Sequence, residues 1–151
     1  MSRRRTRLPF ARRRSSIHGF GVFATRRIRD SRRLIDYEGQ VVTSAAVRER
    51  YDQDAADDPH TLLFDVGGGV YIDASLGGND ARFINHSCEP NCEAEVADGA
   101  VSIRAIRNIQ PGAELTYDYA LAIEEGASRA RRSLFACRCG HKACRGTMLD
   151  E

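Results

Sequence analysis

The sequence has no tryptophan, a single lysine and no run of apolar residues that approaches ~18 in length. The absence of such a run excludes a transmembrane helix, and no internal repeat is visible. Glycine is frequent, at 13 of 151 residues, which favours a chain rich in turns and strands over a helical bundle. With 42% apolar and 29% charged residues, we expect one soluble domain with its own hydrophobic core. The single lysine, Lys142, is what a GC-rich genome would produce, and we attach no function to it.

Acidic residues are absent before Asp30, whereas seven arginines lie in the first 14 positions. Setting these seven aside leaves 16 of the 23 cations against 21 acidic residues, so a basic arm (residues 1–14) precedes a mildly acidic body. Such an arm is typical of a disordered solubilising tail, a nucleic-acid-binding segment or a targeting signal. A targeting signal is disfavoured because no apolar segment follows and the fold needs residues 16–24. The arginines are Arg3, Arg4, Arg5, Arg7, Arg12, Arg13 and Arg14.

The cysteines indicate a metal site rather than disulfides, because their number is odd and no signal peptide is present. Cys137, Cys139 and Cys144 follow one another in a glycine-containing tail that is typical of a metal knuckle. A structural zinc ion requires four ligands, so the fourth must come from His141, from elsewhere in the chain or from another molecule. Unliganded thiols are the alternative. The two other cysteines are Cys88 and Cys92.

Residues 82–92 read R-F-I-N-H-S-C-E-P-N-C and show no regular apolar periodicity. Such a stretch is suited to positioning polar groups rather than to filling a core. Asn85 can donate and accept hydrogen bonds, and so can neutral His86, as recognition of an adenine ring requires. Taken alone, the two residues could equally be a buried pair with a purely structural role.

Alternating and glycine-flanked stretches predict several strands around this segment. Gly19 and Gly21 bracket Phe20 at a tight loop that enters a strand, where the backbone could approach a ligand. Residues 34–43 predict a strand, a turn and a second strand, and residues 60–74 predict a hairpin about three glycines. Further predictions are a helix over 44–56 capped by Ser44, followed by acidic Asp52, Asp54, Asp57 and Asp58, and a hairpin turn at Asp98 and Gly99.

Residues 112–119 read G-A-E-L-T-Y-D-Y and predict a strand after a turn. Tyr117 and Tyr119 are two positions apart, so they are expected on one face of that strand. Tyr37 lies in the strand predicted over residues 34–43. Tyrosines in such positions are common core residues.

Together these stretches, in this order, resemble the SET-domain protein lysine methyltransferases over residues 15–149. The cysteine tail resembles the post-SET segment of that family. The resemblance implies a mainly β fold with short helices, the β-clip of small antiparallel sheets with a C-terminal pseudoknot. It also implies a SET domain at 15–120, a connector at 121–133 and a post-SET tail at 134–151. Residues 1–14, which the resemblance does not cover, are predicted from their composition to be a basic, disordered arm. Since no cysteine-rich region precedes the core, we expect a small member, and a bacterial owner is one option.

The resemblance also implies the residue roles. Catalytic residues would be Tyr119, Tyr37 and Tyr117. S-adenosylmethionine, the cosubstrate, would contact His18, Gly19, Phe20, Gly21, Tyr37, Asn85 and His86. Structural zinc would be held by Cys88, Cys137, Cys139 and Cys144, which leaves Cys92 as a spare thiol.

The expected activity is methyl transfer to a lysine of a basic protein, such as a histone tail or a histone-like nucleoid protein. Because Tyr117 stands where relatives have Phe or Tyr, mainly mono- or dimethylation is expected. Two alternatives are a non-catalytic SET-like module that holds basic tails and a zinc-dependent nucleic-acid-binding protein. A DNA contact through residues 1–14 is a further option, and no membrane association is expected. The compartment would be the cytoplasm or nucleoid of a bacterium, or the nucleus and chromosomes of a eukaryote.

Overall fold

The computed structural model describes residues 7–51 and 62–151, which are mostly β. The strands in the first half are β1 (Phe10–Arg14), β2 (Phe20–Ala24), β3 (Arg33–Asp36), β4 (Gln40–Thr43), β5 (Leu63–Gly67) and β6 (Val70–Asp73). The second half contributes β7 (Asn85–His86), β8 (Cys92–Ala97), β9 (Ala100–Ala105) and β10 (Glu114–Tyr117). Helices are α1 (Ser44–Tyr51), a 3₁₀ turn (Asp80–Phe83) and α2 (Arg129–Ser133).

Three small sheets are formed by these strands, in the orders β1-β2-β10-β7, β3-β9-β8 and β4-β6-β5. Neighbouring strands are antiparallel except β7 and β10, which are parallel. In that pair Asn85 lies opposite Thr116, and His86 lies opposite Tyr117. The fold therefore brings the segment around residue 86 beside the tyrosine strand, as the predicted β-clip with its pseudoknot requires.

The hydrophobic core lies between the sheets. In β9 the side chains of Val101, Ile103 and Ala105 are buried, while the intervening residues are more exposed, because alternate residues of a strand point to opposite faces. Burial of each large aliphatic side chain contributes about 1.5–3 kcal/mol. Fully buried aliphatic side chains of the core include Val22, Ile28, Ile84, Val101, Ile103, Leu115 and Leu149.

The predicted turns and hairpins are confirmed in the part of the chain that is described. Asp98 and Gly99 both have positive φ angles, 52° and 74°, and join Ala97 of β8 to Ala100 of β9. Two residues with positive φ fit the type I′ turn, whose twist suits a hairpin. β5 and β6 form the hairpin expected within residues 60–74. The two strands expected within 34–43 also form, but β3 and β4 join different sheets.

The helix predicted over 44–56 begins at Ser44, and its described part ends at Tyr51. The rest of it, the acidic run after it and residues 1–6 lie outside the described residues. Helix α2 begins within the predicted connector, residues 121–133. Neither α helix of the described residues is long and apolar enough to span a bilayer.

One sequence-based expectation needs correction. Residues 10–14 were assigned to a disordered arm, but they form β1 and pair with β2 along five positions. Phe10 anchors the strand in the core with 6% of its surface exposed. The arginine content concealed the strand because an edge strand can turn its cationic side chains to solvent.

Candidate functional site

Tyr119 lies where three clefts meet. One cleft, of about 450 Å³, is lined by residues that include His18, Gly19, Phe20, Asn85 and Tyr119. The second, of about 460 Å³, includes Phe64, Tyr71, Tyr117, Tyr119 and Phe135. The third, of about 300 Å³, includes His18, Asn85, His86, Tyr119 and Met148. Tyr119 is thus shared by two clefts that the glycine loop lines and by one that aromatic residues line.

The aromatic residues around Tyr119 form a continuous cluster. The ring centroids of Tyr117 and Tyr119 are 4.9 Å apart, those of Phe64 and Tyr117 are 6.4 Å apart, and those of Tyr37 and Phe64 are 5.3 Å apart. The Tyr119 hydroxyl donates a hydrogen bond to the Ile84 carbonyl at 2.6 Å. Since Tyr117 and Tyr119 both line the aromatic cleft, this cluster forms one wall of the site.

Tyr37 has a different position from the other two tyrosines. It is buried behind Phe64, and its hydroxyl donates to the Leu62 carbonyl at 2.8 Å. It is not among the residues that line the three clefts of the described chain. Tyr37 therefore supports the aromatic wall from behind.

Burial raises the pKa values of Tyr37, Tyr117 and Tyr119 above the usual range for tyrosine. Neighbouring hydroxyls act in the same direction, because ionisation of one would repel ionisation of the next. The three hydroxyls are therefore protonated at neutral pH and act as hydrogen-bond donors rather than as bases.

Asn85 organises the glycine loop from below. Its buried amide nitrogen has two hydrogens to share among three acceptors: the carbonyls of His18 at 3.2 Å and Phe20 at 3.0 Å, and Glu114 Oε1 at 2.8 Å. The side chain predicted to bind the cofactor therefore also fixes the glycine-loop backbone that lines the first and third clefts.

Glu114 is a residue of this site that the sequence reasoning missed. Its two carboxylate oxygens accept hydrogen bonds from the Ser15 hydroxyl at 2.8 and 2.9 Å, on the other flank of the loop. A Cβ at Gly21 would come within 2.1 Å of Glu114 Oε1, so only glycine allows this approach. Gly21 therefore allows Glu114 to hold the loop. The position of Glu114 in the G-A-E-L-T-Y-D-Y stretch is the sequence feature that could have identified it as a site residue.

His86 connects the tyrosine strand to the cysteines. Its Nδ1 accepts a hydrogen bond from the backbone N–H of Tyr119 at 3.0 Å, which leaves the proton on Nε2. Nε2 is 3.5 Å from the Cys88 sulfur. Burial lowers the pKa of His86, although the Asp118 carboxylate acts in the opposite direction, so the ring is neutral. The imidazole is engaged by protein groups, and His86 still lines the third cleft.

Four cysteine sulfurs lie within 4.8 Å of one another: those of Cys88, Cys137, Cys139 and Cys144. The Cys88 sulfur is 3.6 Å from that of Cys137 and 3.9 Å from that of Cys144. Two thiolates bound tetrahedrally to zinc at ~2.3 Å would be ~3.8 Å apart, so the spacing fits that ion. Within the cluster, hydrogen bonds outweigh burial and lower the pKa of the Cys139 thiol, whereas burial raises the pKa of the Cys88 and Cys137 thiols. A metal bound here would hold the sulfurs as thiolates.

The remaining candidates lie outside this cluster. Cys92 is buried in the core with 1% exposure, and burial raises the pKa of its thiol to about 12, as suits a spare thiol. The His141 ring is 3.3 Å from a Glu89 carboxylate oxygen instead of facing the sulfurs. The fourth thiol is that of Cys88, which joins the tail to the segment after β7.

A second link between tail and site was also missed. Arg145 donates two hydrogen bonds to the Asp118 carboxylate, at 2.8 and 3.1 Å. Its backbone N–H also donates to the Cys88 sulfur at 3.4 Å. Asp118 lies between the two tyrosines of the cluster, so the tail is fastened directly to the tyrosine strand.

Comparison with known proteins agrees with this geometry. The SET domain family model matches residues 19–120. The chain is 38% identical over 138 residues to Histone-lysine N-methyltransferase trithorax of Drosophila virilis, an alignment that covers 87% of this chain and 3% of that protein. It is 39% identical over 136 residues to Histone-lysine N-methyltransferase 2B of Homo sapiens, with 87% and 5% covered. The chain thus spans a small fraction of each relative.

A solved structure is similar as well. It is a humanized mutant of the Chaetomium thermophilum Polycomb Repressive Complex 2 bound to an inhibitor. The match has a TM-score of 0.62 and 25% sequence identity, and it covers 74% of this chain and 15% of that chain. Since the matched family region contains the glycine loop, Asn85, His86 and all three tyrosines of the cluster, the chain belongs to the SET-domain family.

Proposed function

We propose that this protein transfers a methyl group from S-adenosylmethionine to a lysine side chain of a basic protein. The observation that carries the proposal is the position of Tyr119, where the glycine-loop clefts and the aromatic cleft meet. A cofactor and a lysine entering from the two sides would face each other at this residue. The names of the relatives, which are histone-lysine N-methyltransferases, support a histone tail or a histone-like protein as the substrate.

On the cofactor side, we assign binding to His18, Gly19, Phe20 and Gly21, with Asn85 and His86 below them. Hydrogen bonds from Asn85 hold this loop in its conformation before any ligand arrives. Met148 lines the third cleft and can cover an adenine ring, whereas Leu149 is buried with 1% exposure. A preformed wall reduces the ordering cost of binding.

On the lysine side, the methylene chain of the substrate would pass between the aromatic residues around Tyr117. Bound S-adenosylmethionine supplies an electrophilic methyl group on a positively charged sulfonium. A lysine amine, with an ordinary pKa of about 10.4, loses its proton more readily beside such a cation. At ~4 Å and an effective dielectric of ~20, the ammonium is disfavoured by roughly 4 kcal/mol, or about three pKa units.

The reaction then requires no protein side chain as a base, which agrees with the protonated state of the tyrosine hydroxyls. The substrate ammonium would first lose one proton to solvent. The free amine would then form a bond to the methyl carbon as the carbon–sulfur bond breaks, which gives a methylated ammonium and a neutral thioether as the leaving group. The chain contributes alignment, which can supply several kcal/mol of the barrier reduction. Tyr119 and Tyr117 would hold the amine in line, and Tyr37 would support them.

Tyr117 is proposed to limit the number of methyl groups added. It lines the lysine cleft, and its hydroxyl occupies space and can hold a water or the amine where a second methyl group would sit. Mono- and dimethyllysine are therefore the expected products. The Tyr117→Phe variant should shift products towards higher methylation, as measured by mass spectrometry. Trimethyllysine formed by the unchanged protein would contradict this assignment.

The four-cysteine cluster is proposed to hold one structural zinc ion. Its donors fit that ion, and His86 Nε2–H is placed to donate to the Cys88 sulfur. Through these thiols the tail closes over the third cleft, to which it contributes Met148.

The decisive experiment is methyl transfer from labelled S-adenosylmethionine to core histones, a nucleoid protein and ribosomal proteins. The Tyr119→Phe variant is measured beside it, with cofactor binding and thermal stability as controls for folding. Labelled lysine that falls at least ~100-fold in Tyr119→Phe, with cofactor binding retained, is the expected result. Cofactor binding without transfer to any basic protein would instead favour a non-catalytic module that holds basic tails.

The cellular location would follow the substrate. We propose the nucleus and chromosomes if the owner is a eukaryote, and the nucleoid or cytoplasm if it is a bacterium. Localisation of a tagged full-length chain together with the labelled substrate would test this.

A further inference from the structure

Five arginines lie along and beside the β1 edge of the first sheet, an edge that pairs with no further strand of residues 7–51 and 62–151. Arg12, Arg13 and Arg14 follow one another on β1, which is an edge strand. Arg7 and Arg26 meet at the start of this strand, where the Arg26 guanidinium donates to the Arg7 carbonyl at 2.8 Å. All five are exposed. We call these five residues the β1 arginine row.

The β1 arginine row is not neutralised within the described chain. Other arginines form ion pairs, as Arg33 does with Asp36 and Arg145 with Asp118. In residues 7–51 and 62–151, no carboxylate lies within ion-pair distance of any member of the row. Like charges held close together repel one another, so an anion bound here would relieve that repulsion.

Two members of the row are held in place by aromatic rings. The guanidinium of Arg12 lies 5.1 Å from the centroid of the Phe20 ring, and that of Arg14 lies 4.8 Å from the same ring. Arg12 also lies 4.8 Å from the Phe83 ring. A guanidinium on an aromatic face keeps its N–H donors free at the edges while losing side-chain freedom. Arg12 and Arg14 are therefore ordered for binding before a partner arrives.

We infer that the β1 arginine row binds the phosphate backbone of a nucleic acid duplex. β1 spans ~17 Å over its five residues, three of which are arginines, and Arg7 and Arg26 lie beyond its first residue. A B-DNA duplex presents one phosphate charge per ~1.7 Å of its axis, so several phosphates are within reach of the row. Arginine forks match phosphate oxygens in geometry. Contacts of this kind read no bases, so binding would be independent of sequence. The inference stands independently of the methyl transfer proposed above.

If both are correct, the row would hold the enzyme beside the nucleic acid that carries its basic protein substrate. β1 lies at the opposite edge of the sheet from β7. The lining of the aromatic cleft includes no residue of β1 or β2, so a duplex on the β1 edge would leave that cleft free for the lysine.

The test uses the full chain and fluorescence anisotropy with two unrelated 20-base-pair duplexes at several salt concentrations. Five phosphate contacts predict a slope of log K against log salt of about −4.5, since each contributes about −0.9. The triple variant Arg12→Gln/Arg13→Gln/Arg14→Gln should reduce the slope to about −2 and weaken binding at least ~10-fold at ~100 mM salt. The triple lysine variant keeps the charge and should retain most of the slope.

The matched control is Arg48→Gln/Arg107→Gln/Arg129→Gln, which removes the same charge from α1, the loop after β9 and α2. It should change binding less than ~2-fold, and thermal unfolding confirms that every variant is folded. An equal loss in the control, an unchanged slope in the row variant or no duplex binding would overturn the inference. So would loss of all binding on deletion of residues 1–6, or preference for polyglutamate or anionic vesicles over the duplex.

Discussion

The β sheets and the cysteine tail are held in place by different forces. The sheets pack on side chains that are completely or almost completely buried, such as Ile28, Ile103 and Leu115. Residues 134–151 contribute only Phe135 and Leu149 to the buried apolar set. The tail is joined to the rest of the chain by four thiols, the Arg145–Asp118 pair and short backbone bridges, one of them between Leu121 and Leu149.

This difference matters because the third cleft is built from both regions. Asn85 and His86 come from the sheet region, whereas Leu134, Ala136 and Met148 come from the tail. The position of this wall therefore depends on the tail, which is the less strongly packed of the two regions. We expect ligand binding and catalysis to respond to changes that leave the sheets folded.

The largest effect is expected from the loss of one cluster thiol. Cys137→Ser, or removal of metal by a chelator, should reduce methyl transfer at least ~100-fold, because three remaining ligands no longer fix the tail. Bound zinc, measured by metal analysis, should fall from one per chain to well below one. Far-ultraviolet circular dichroism should retain the β signal of the sheets.

The matched variant is Cys92→Ala, which removes a thiol from the core instead. It should leave the zinc content unchanged while lowering the free energy of unfolding modestly. If Cys137→Ser unfolded the whole chain, or if Cys92→Ala released the metal, the two regions would not be separable.

The next largest effect concerns the sheet region. Ile103→Ala leaves a cavity at a fully buried position of β9 and should lower the free energy of unfolding by about 2–5 kcal/mol. Denaturant unfolding measures this. Zinc affinity of the folded fraction should be unchanged within ~3-fold, since the cluster does not contact Ile103 directly; a large loss would show that the regions are strongly coupled.

A smaller effect is expected at the ion pair between the regions. Arg145→Gln and Asp118→Asn should each cost about 1 kcal/mol or less in stability, because both side chains are partly exposed. The apparent affinity for cofactor should fall several-fold, as measured by calorimetry. In a double-mutant cycle the two changes should be non-additive; strict additivity would show that the pair does not act as a unit.

This pair also gives a pH dependence with a defined sign. Burial alone would raise the pKa of Asp118, but hydrogen bonds from Arg145 outweigh it and hold the pKa below the ordinary value. A carboxyl with a depressed pKa in the folded state stabilises fully above its unfolded value of ~3.9 and loses that contribution as the pH falls through the folded pKa. The difference in the free energy of unfolding between the unchanged protein and Asp118→Asn should therefore become smaller as the pH falls into the acid range.

The smallest effect concerns the tyrosines at the junction of the two regions. Because the pKa values of Tyr37, Tyr117 and Tyr119 are raised, these groups resist ionisation until the pH exceeds that of ordinary tyrosine, ~10. Their contribution to stability is complete below that unfolded value and is lost as the pH rises above it. Absorbance titration at 295 nm should show at most about two of the five tyrosines ionised at pH ~11, where ordinary tyrosines would be about nine-tenths ionised. Full ionisation in the folded chain would contradict the buried cluster.

Sequence reasoning succeeded where short motifs carry the chemistry. The type I′ turn at Asp98 and Gly99 requires two positive φ angles, which those residue types allow. The motifs also led to the family and to a mostly β fold, because their residue types and order are unusual together. Reasoning from the cysteines alone left the fourth ligand open, because His141 and any distant cysteine were equivalent at that level.

It failed where a contact joins residues far apart in the chain. Glu114 lies 99 positions from Ser15, and Asp118 lies 27 positions from Arg145, and neither pair has a local signal. The arginines of β1 suggested disorder because amino-acid composition carries no information about contacts. It shows neither that Phe10 is buried in the core nor that β2 supplies the backbone hydrogen bonds.

The sequence by itself determined the motifs, the turns and the set of groups available for chemistry, since these depend on residue type and local backbone preference. The tertiary structure alone decided which of those groups meet. Parallel pairing of β7 with β10 sets Asn85 and His86 beside the tyrosines, and the returning tail brings three thiols to Cys88. Such encounters depend on packing over the whole domain, because the entropy lost in closing long loops is offset by the core and not by the residues that meet.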